Sequence, residues 1–201
     1  CGQMLGEVNK ERLVRGDSAQ PGDVILLTRA IPVEGTAVLA AAKREELIPT
    51  LGSDLIHRAE NYLTDPGISV VRLALAAAET GFVNAMHDPT EGGLATGVHE
   101  LAEAARLGAL VEKDAVPISQ EGAAICSTLG IDPLGVITSG ALLLAVPPEN
   151  ENFLRGILEE AGGLGIRIGT LLPPAEGVTI LQSGKRFPLP RFDADEISKV
   201  L

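Results

Sequence analysis

The residues of this chain best suited to chemistry lie in one short stretch, Asp-Pro-Thr-Glu-Gly-Gly at 88–93, between a predicted strand and a predicted helix. Two residues without side chains at a helix start let a ligand approach the backbone. The free amide N–H groups and the helix dipole at that end favour an anion. The hydroxyl of Thr90 could donate to an oxygen of that anion. The pattern predicts a phosphate site at Thr90, Gly92 and Gly93.

Asp88 places a negative charge beside the predicted phosphate. Two like unit charges 4 Å apart repel by about 4 kcal/mol at an effective dielectric constant near 20. A divalent cation removes the conflict, because Mg²⁺ is commonly held by one or two carboxylates together with substrate phosphates. We therefore predict that Asp88 is a magnesium ligand.

The same residues also have a structural interpretation. Asp and Thr are ordinary capping residues before a helix, and a double glycine permits tight packing of a strand against the helix that follows it. Spacing alone leaves the phosphate site and the structural role both open.

Histidine and cysteine give weaker signals. His87 and His99 have no third nitrogen or thiolate ligand at suitable spacing, so a zinc site is not favoured. Cys126 follows Ala-Ala-Ile, which predicts a buried and unreactive thiol. The chain begins with Cys1 instead of Met; a lipidated Cys1 is one explanation, and a piece excised from a longer chain is the favoured one.

The composition excludes several classes of protein. The chain has 201 residues, a formal net charge of −11 and no cluster of Lys and Arg, which argues against binding to nucleic acid. It contains no run of 18 apolar residues and no signal-peptide pattern at its start. We expect a cytoplasmic protein without nucleic-acid or membrane partners. With 2% aromatic residues, its core must be built from Val, Leu, Ile and Ala.

Hydrophobic patterning predicts an α+β domain of layered α/β type, with a mixed β-sheet flanked by helices. The apolar run 24–27 has the form of a strand buried on both faces. Ser183-Gly184 between two strands predicts a hairpin, so the end of the sheet should be antiparallel. Further strands are predicted at 82–86, 109–112, 141–146, 166–171, 178–182 and 186–189, and helices at 36–47, 53–63, 69–79, 119–129 and 149–161, with another after the double glycine.

Several segments together resemble one family. Residues 86–96, Met-His-Asp-Pro-Thr-Glu-Gly-Gly-Leu-Ala-Thr, with Glu-Leu-Ala-Glu-Ala at 100–104, resemble the C-terminal domain of the AIR synthase-related (PurM-like) superfamily. The likeness is greatest to its hydrogenase expression/formation (HypE-type) branch. Supporting matches lie at 6–24, 31–37 and 140–148, so the likeness covers nearly the whole chain. The Asp-Pro-Thr-x-Gly-Gly loop is its most specific marker.

The resemblance implies one half of an ATP-dependent enzyme that uses ATP and Mg²⁺ and acts on a small-molecule substrate. Members of the superfamily carry most of their nucleotide and magnesium carboxylates on an N-terminal domain. Residues 1–22 would then be the linker from a missing N-terminal domain, and 23–201 the AIR synthase-related C-terminal domain. Carried over by position, the implied phosphate- or nucleotide-binding residues are Thr90, Gly92, Gly93, Gly35 and Thr36, and the implied metal ligand is Asp88.

Two departures limit what the resemblance implies. Hydrogenase-maturation members end in a Cys that accepts a carbamoyl group, whereas this sequence ends Lys199-Val200-Leu201, so synthesis of a cyanide ligand is not expected of it. The carboxylates of the N-terminal domain are missing as well, so turnover by this chain alone is not expected and no catalytic residue is assigned. The alternative is a non-catalytic binding or assembly module. A homodimer that replaces the missing neighbour is a third expectation, and helix capping is the alternative role of Gly35 and Thr36.

Overall fold

The described part of the chain folds around one seven-stranded sheet with the strand order β2-β4-β1-β5-β3-β6-β7. The computed structural model describes residues 3 and 5–201, so the interpretations of Cys1 lie outside the described residues. The β3–β6 pair is parallel, and the other pairs are antiparallel. This confirms the predicted mixed sheet and the α+β class. The strands are β1 (Val24–Leu27), β2 (Ala85–His87), β3 (Gly108–Glu112), β4 (Leu143–Val146), β5 (Ile166–Leu172), β6 (Val178–Gln182) and β7 (Lys185–Pro188).

Helices cover both faces of this sheet. The helix predicted at 36–47 is two helices, α1 and α2, which meet at Lys43 with φ −109° and ψ 20°. Both helices bury apolar residues in one cluster with α3 and α6, and Pro49 inside α2 lacks the N–H of a regular helical bond. The helices are α1 (Glu34–Ala42), α2 (Arg44–Leu51), α3 (Ser53–Glu60), α4 (Val71–Glu79), α5 (Gly93–Ala104), α6 (Gln120–Leu129) and α7 (Glu151–Glu160).

Strand β1 lies in the interior of the sheet because all four of its residues are apolar and fully buried, as its sequence predicts. Successive side chains of a strand point to opposite faces. Ile25 and Leu27 therefore pack in the core that contains α5, and Val24 and Leu26 pack in the core that contains α4 and α7. These cores consist mainly of Val, Leu, Ile and Ala, as the composition predicts.

The hairpin predicted at Ser183-Gly184 is present between β6 and β7. Ser183 has φ +50° and Gly184 has φ +74°, the pair of positive values that a two-residue turn of this hand requires. The two strands pair antiparallel from Thr179 with Pro188 to Gln182 with Lys185. The prediction of an antiparallel end to the sheet is therefore confirmed.

Strand register brings the chain segments after β1 and β2 to the same edge of the sheet. Leu143 of β4 is the register partner of Leu27 on one side and of His87 on the other. Because neighbouring strands lie about 4.8 Å apart, the two segments leave the sheet about 10 Å from each other. Asp88 and Thr28, which follow these strands directly, therefore begin loops on a shared edge.

No helix within the described residues is long and apolar enough to cross a membrane. The expected cytoplasmic location stays a prediction.

Candidate functional site

The loop 88–92 joins β2 to α5, as the sequence predicts. Helix α5 is fixed by Leu94, Val98 and Leu101, which are buried against the sheet. Its start is made by two successive glycines with positive φ, +77° at Gly92 and +63° at Gly93. Residues with a Cβ rarely adopt this backbone conformation, so the turn into α5 requires glycine at both positions.

Neither glycine leaves its side-chain position open to an external ligand, because the chain itself occupies that space. A Cβ added to Gly92 would lie 2.4 Å from Thr96 Oγ1 and 2.7 Å from the carbonyl oxygen of Phe192. A Cβ added to Gly93 would lie 2.6 Å from the carbonyl oxygen of Leu134. The close approach that the double glycine predicts is therefore present, and atoms of the chain itself make it.

Both amide groups of the double glycine have internal acceptors. The N–H of Gly92 donates to Asp195 Oδ2 at 2.8 Å, and the N–H of Gly93 donates to the carbonyl oxygen of Thr90 at 3.0 Å. The expectation that these donors are free is therefore wrong for this conformation. The anion at the start of α5 is the carboxylate of Asp195, which also caps the last short helical turn by accepting from the N–H of Ile197 at 3.0 Å.

Sequence reasoning did not assign the segment 192–200 that reaches this site. Phe192 exchanges two hydrogen bonds with the Thr96 hydroxyl of α5, and its N–H donates to Oγ1 at 3.1 Å. Glu196 is 3% exposed and accepts from the N–H of Asp132 at 3.0 Å. An Asp that begins a helical turn is a capping signal, which Asp195 carries, but no local pattern shows that its second oxygen reaches α5.

The other loop side chains differ in their availability. Asp88 is exposed and takes part in no hydrogen bond or ion pair among the residues that the structure describes. Thr90 is half-buried and Glu91 is exposed. The N–H of Glu91 itself, followed by the hydroxyl of Thr90, lowers the pKa of the Glu91 carboxyl. Asp88 is therefore the freest carboxylate of the loop and fits the role of a metal ligand.

The structure does not assemble a multidentate metal site. No group of three or more His, Cys, Asp or Glu side chains within the described ranges is arranged to hold a metal ion. His87 Nε2 lies 2.8 Å from Glu100 Oε2, whereas His99 Nε2 lies 3.0 Å from the carbonyl oxygen of Leu189. Other ligands of a cation at Asp88 would have to come from a bound phosphate, from water or from another domain.

Gly35 and Thr36 lie in the first turn of α1 and are buried. The N–H of Gly35 donates to the carbonyl oxygen of Ile137 at 2.9 Å, and a Cβ there would lie 2.2 Å from Val136 Cγ1. The Thr36 hydroxyl donates to the carbonyl oxygen of Pro32 at 2.7 Å. The structure gives these two residues packing and hydrogen-bonding roles and does not bring them to the surface beside Asp88.

The predicted burial of Cys126 is confirmed. The thiol lies in the cluster that α1, α2, α3 and α6 share. Burial, reinforced by the charges of Asp132 and Glu196, raises its pKa to about 12. The thiolate that nucleophilic chemistry needs is therefore scarce at neutral pH.

A mixed sheet between helical layers, with a double-glycine junction at one edge, defines an α+β domain of the AIR synthase-related C-terminal class. The chain belongs to the AIR synthase-related family: residues 20–181 match the family described as AIR synthase related protein, C-terminal domain.

Sequence relatives place the chain near hydrogenase expression/formation proteins. It is 31% identical over 158 residues to a putative hydrogenase expression/formation protein of Methanocaldococcus jannaschii. The matched region covers 78% of this chain and 43% of the relative. It is 33% identical over 136 residues to the carbamoyl dehydratase HypE of Rhizobium leguminosarum bv. viciae. This matched region covers 68% of this chain and 36% of the relative. The chain thus spans less than half the length of these relatives.

Solved structures agree on the fold. Escherichia coli HypE superimposes with a TM-score of 0.73 at 23% identity, over 94% of this chain and 55% of that one. A HypE crystallised in complex with ATP superimposes with a TM-score of 0.69 at 24% identity, over 94% of this chain and 56% of that one. These likenesses show the shared fold.

Proposed function

We propose that this domain is the phosphate-facing half of a HypE-like, ATP-dependent enzyme. The observation that carries the proposal is the exposed and unpaired Asp88, which begins a double-glycine junction in a domain of the AIR synthase-related family. The ATP complex of a HypE with the same fold supports a nucleotide as the ligand. In this proposal Asp88 holds Mg²⁺ and Thr90, Gly92 and Gly93 line the phosphates.

Phosphate binding at Gly92 requires a rearrangement of the C-terminal segment. The Gly92 N–H is bonded to Asp195 Oδ2, so a phosphate oxygen can accept from it only after the carboxylate moves away. A phosphate that met Asp88 and Asp195 together would also be repelled by about 4 kcal/mol per charge at 4 Å and an effective dielectric constant near 20. Mg²⁺ on Asp88 and displacement of Asp195 both reduce that repulsion.

The chemistry we infer for the whole enzyme is activation of an amide-type oxygen by ATP, or a related phosphoryl transfer. The residues of this chain would position phosphates and metal in that reaction, and a small-molecule substrate would receive the phosphoryl group. An upstream domain, with 1–22 as the linker and 23–201 as the C-terminal domain, would supply the remaining carboxylates. Gly35 would act only by its contacts with the turn 136–137, and Thr36 only by its hydrogen bond to the carbonyl oxygen of Pro32.

The experiment is a titration of ¹⁵N-labelled chain with a non-hydrolysable ATP analogue, with and without Mg²⁺. We expect the Gly92 and Gly93 amide signals to shift saturably, with an affinity that depends on Mg²⁺. Asp88→Asn should weaken the Mg²⁺-dependent binding about tenfold or more, since a charged metal ligand is lost. The matched control is Glu91→Gln, an exposed carboxylate in the same loop, which should change affinity less than about threefold. Equal affinity of Asp88→Asn and the unaltered chain would rule out the metal role.

A specific observation supports a second function, a non-catalytic binding or assembly module. The bond from Gly92 to Asp195 supplies internally the anion that a nucleotide would otherwise provide. If the domain is a non-catalytic module, the amide signals of Gly92 and Gly93 should not shift with the ATP analogue at any Mg²⁺ concentration. The N–H of Gly92 should also stay protected from hydrogen exchange. ATP hydrolysis by the unaltered chain above that of Asp88→Asn would exclude the module.

A further inference from the structure

A second cleft, of about 250 Å³, opens on the sheet edge where β1 ends. It is separate in sequence from the loop 88–93 and lies between the end of β1, the turn that precedes α4 and the start of α6. Its walls are largely apolar. The lining residues that matter here are Arg29, Ala30, Tyr62, Pro66, Ser119 and Leu164.

Arg29 brings a positive charge to this cleft, and no carboxylate neutralises it. Its Nη1 donates to the carbonyl oxygens of Gly67 and, at 3.0 Å, of Gly140. Its Nε is buried and has no acceptor among the described residues. None of the ion pairs in the described part of the chain includes Arg29. The guanidinium is therefore held in place by Nη1, whose two N–H groups are both used, and the chain closes off Nε. Nη2 donates to no acceptor among the described residues and keeps its two N–H groups for a ligand.

The electrostatics of the surroundings favour an anion. Burial lowers the pKa of Arg29 with no opposite charge to raise it, yet a guanidinium stays protonated at neutral pH. Ser119 caps the start of α6, so the positive end of that helix faces the same region. The nearby carboxylate of Glu121 is already engaged, because it accepts from Arg58 Nε at 2.8 Å and from the Tyr62 hydroxyl at 2.8 Å.

We propose that this cleft binds a small organic anion, whose carboxylate or phosphate group accepts from Nη2 of Arg29 and whose apolar body packs against Tyr62, Pro66 and Leu164. The two N–H groups of Nη2 can donate charge-assisted hydrogen bonds to the oxygens of such an anion. The volume suits a body of about one ring, since pockets for drug-sized ligands begin near 300 Å³. The site does not depend on nucleotide binding at Asp88.

The first test titrates the ¹⁵N-labelled chain with benzoate, phenyl phosphate and benzamide. We expect the amide signals of Ala30, Ser119 and Leu164 to shift saturably with at least one of the two anions. Neutral benzamide, which has nearly the shape of benzoate, should bind at least about tenfold more weakly than benzoate if the carboxylate is the group recognised. Saturable binding of one anion over the other identifies the preferred oxyanion. Three outcomes would overturn the proposal. In the first, benzoate and benzamide bind equally and phenyl phosphate does not bind; in the second, the shifts are confined to Gly92 and Gly93; in the third, no ligand saturates the shifts.

A matched pair of variants tests the role of charge without removing Arg29, which also ties two turns together. Leu164 is 42% exposed at the rim, and only its backbone N–H is used, in a bond to the carbonyl oxygen of Thr28. Leu164→Glu places a negative charge in the cleft that Arg29 lines and should weaken anion binding about tenfold relative to Leu164→Gln. Equal affinity of these two variants would contradict an electrostatic site. Asp88→Asn should bind benzoate or phenyl phosphate as the unaltered chain does. This result separates a failure of the cleft from a failure of nucleotide binding at the loop 88–93.

Discussion

Single residues decide which anion occupies the start of α5. Asp195 and a phosphate would use the same donor, the N–H of Gly92, and Asp88 adds a second negative charge nearby along the loop. The acidic side chain that the sequence does identify, Asp88, is left free, and the one it does not identify, Asp195, fills the predicted anion position. The balance between these two carboxylates should therefore control ligand affinity.

Asp195→Asn should raise the affinity for the Mg²⁺-bound ATP analogue, because it removes a charge but keeps an oxygen that can accept from the Gly92 N–H. We expect about a three- to tenfold gain. Stability should fall by about 0.5 kcal/mol, since a charge at a helix N-terminus contributes roughly 0.3–1 kcal/mol. Titration and urea unfolding measure the two effects. Asp193→Asn, at an exposed neighbouring position, is the control and should change neither the affinity nor the stability. A loss of affinity in Asp195→Asn would contradict the prediction and show that Asp195 assists binding.

The buried thiol of Cys126 should make stability depend on pH in the alkaline range. Its pKa rises from 9.0 to about 12 on folding, so above pH 9 the unfolded chain releases a proton that the folded chain retains. The stabilisation is complete below pH 9 and is lost as the pH rises toward 12. Between these values the free energy of unfolding should fall by up to about 1.4 kcal/mol per pH unit more steeply than in Cys126→Ala. If urea unfolding showed the same dependence of the free energy of unfolding on pH in the two proteins, the raised pKa of Cys126 would be contradicted.

At the scale of elements, local sequence predicts much of the sheet and little of what closes the site. The buried strand 24–27 and the hairpin at Ser183 follow from patterns of four to six residues, and both are confirmed. The double glycine also predicts where α5 begins. Local patterns could not show that the segment 134–136 fills the space beside Gly93, because that contact joins residues about 40 positions apart. Contacts of this range depend on how whole elements pack.

Replacement of Gly93 and of Gly130, two of the glycines with positive φ, should separate backbone strain from packing. Both have positive φ, +63° and +70°, but a Cβ on Gly130 meets nothing within 4 Å, whereas one on Gly93 meets the carbonyl oxygen of Leu134 at 2.6 Å. Gly130→Ala should lower the free energy of unfolding by about 1 kcal/mol, the strain alone. Gly93→Ala should lower it by about 3 kcal/mol or more, because overpacking adds to the strain. Urea unfolding measures both, and equal losses would show that the segment 134–136 moves aside.

At the scale of the whole molecule, the C-terminal segment connects parts that the sheet alone does not hold together. Phe192 packs against the core that contains α5, while Ile197 and Val200 pack against the cluster of α1, α2, α3 and α6. Glu196 adds a bond to the turn at Asp132. The same segment thus stabilises the fold and covers the start of α5. Release of the segment from α5 should therefore lower the stability of the whole domain.

A chain that ends at Arg191 tests this link. Loss of three partly buried apolar side chains and of the bonds from Asp195 and Glu196 should lower the free energy of unfolding by about 3 kcal/mol. Because its acceptor is gone, the N–H of Gly92 should exchange with solvent faster by about tenfold or more under native conditions, beyond the change caused by global unfolding. Removal of Leu201 alone, which is 62% exposed, is the control and should leave stability and exchange unchanged. If Gly92 stayed protected in the shortened chain, another group would have to cover the start of α5, and the competition between Asp195 and phosphate would have no basis.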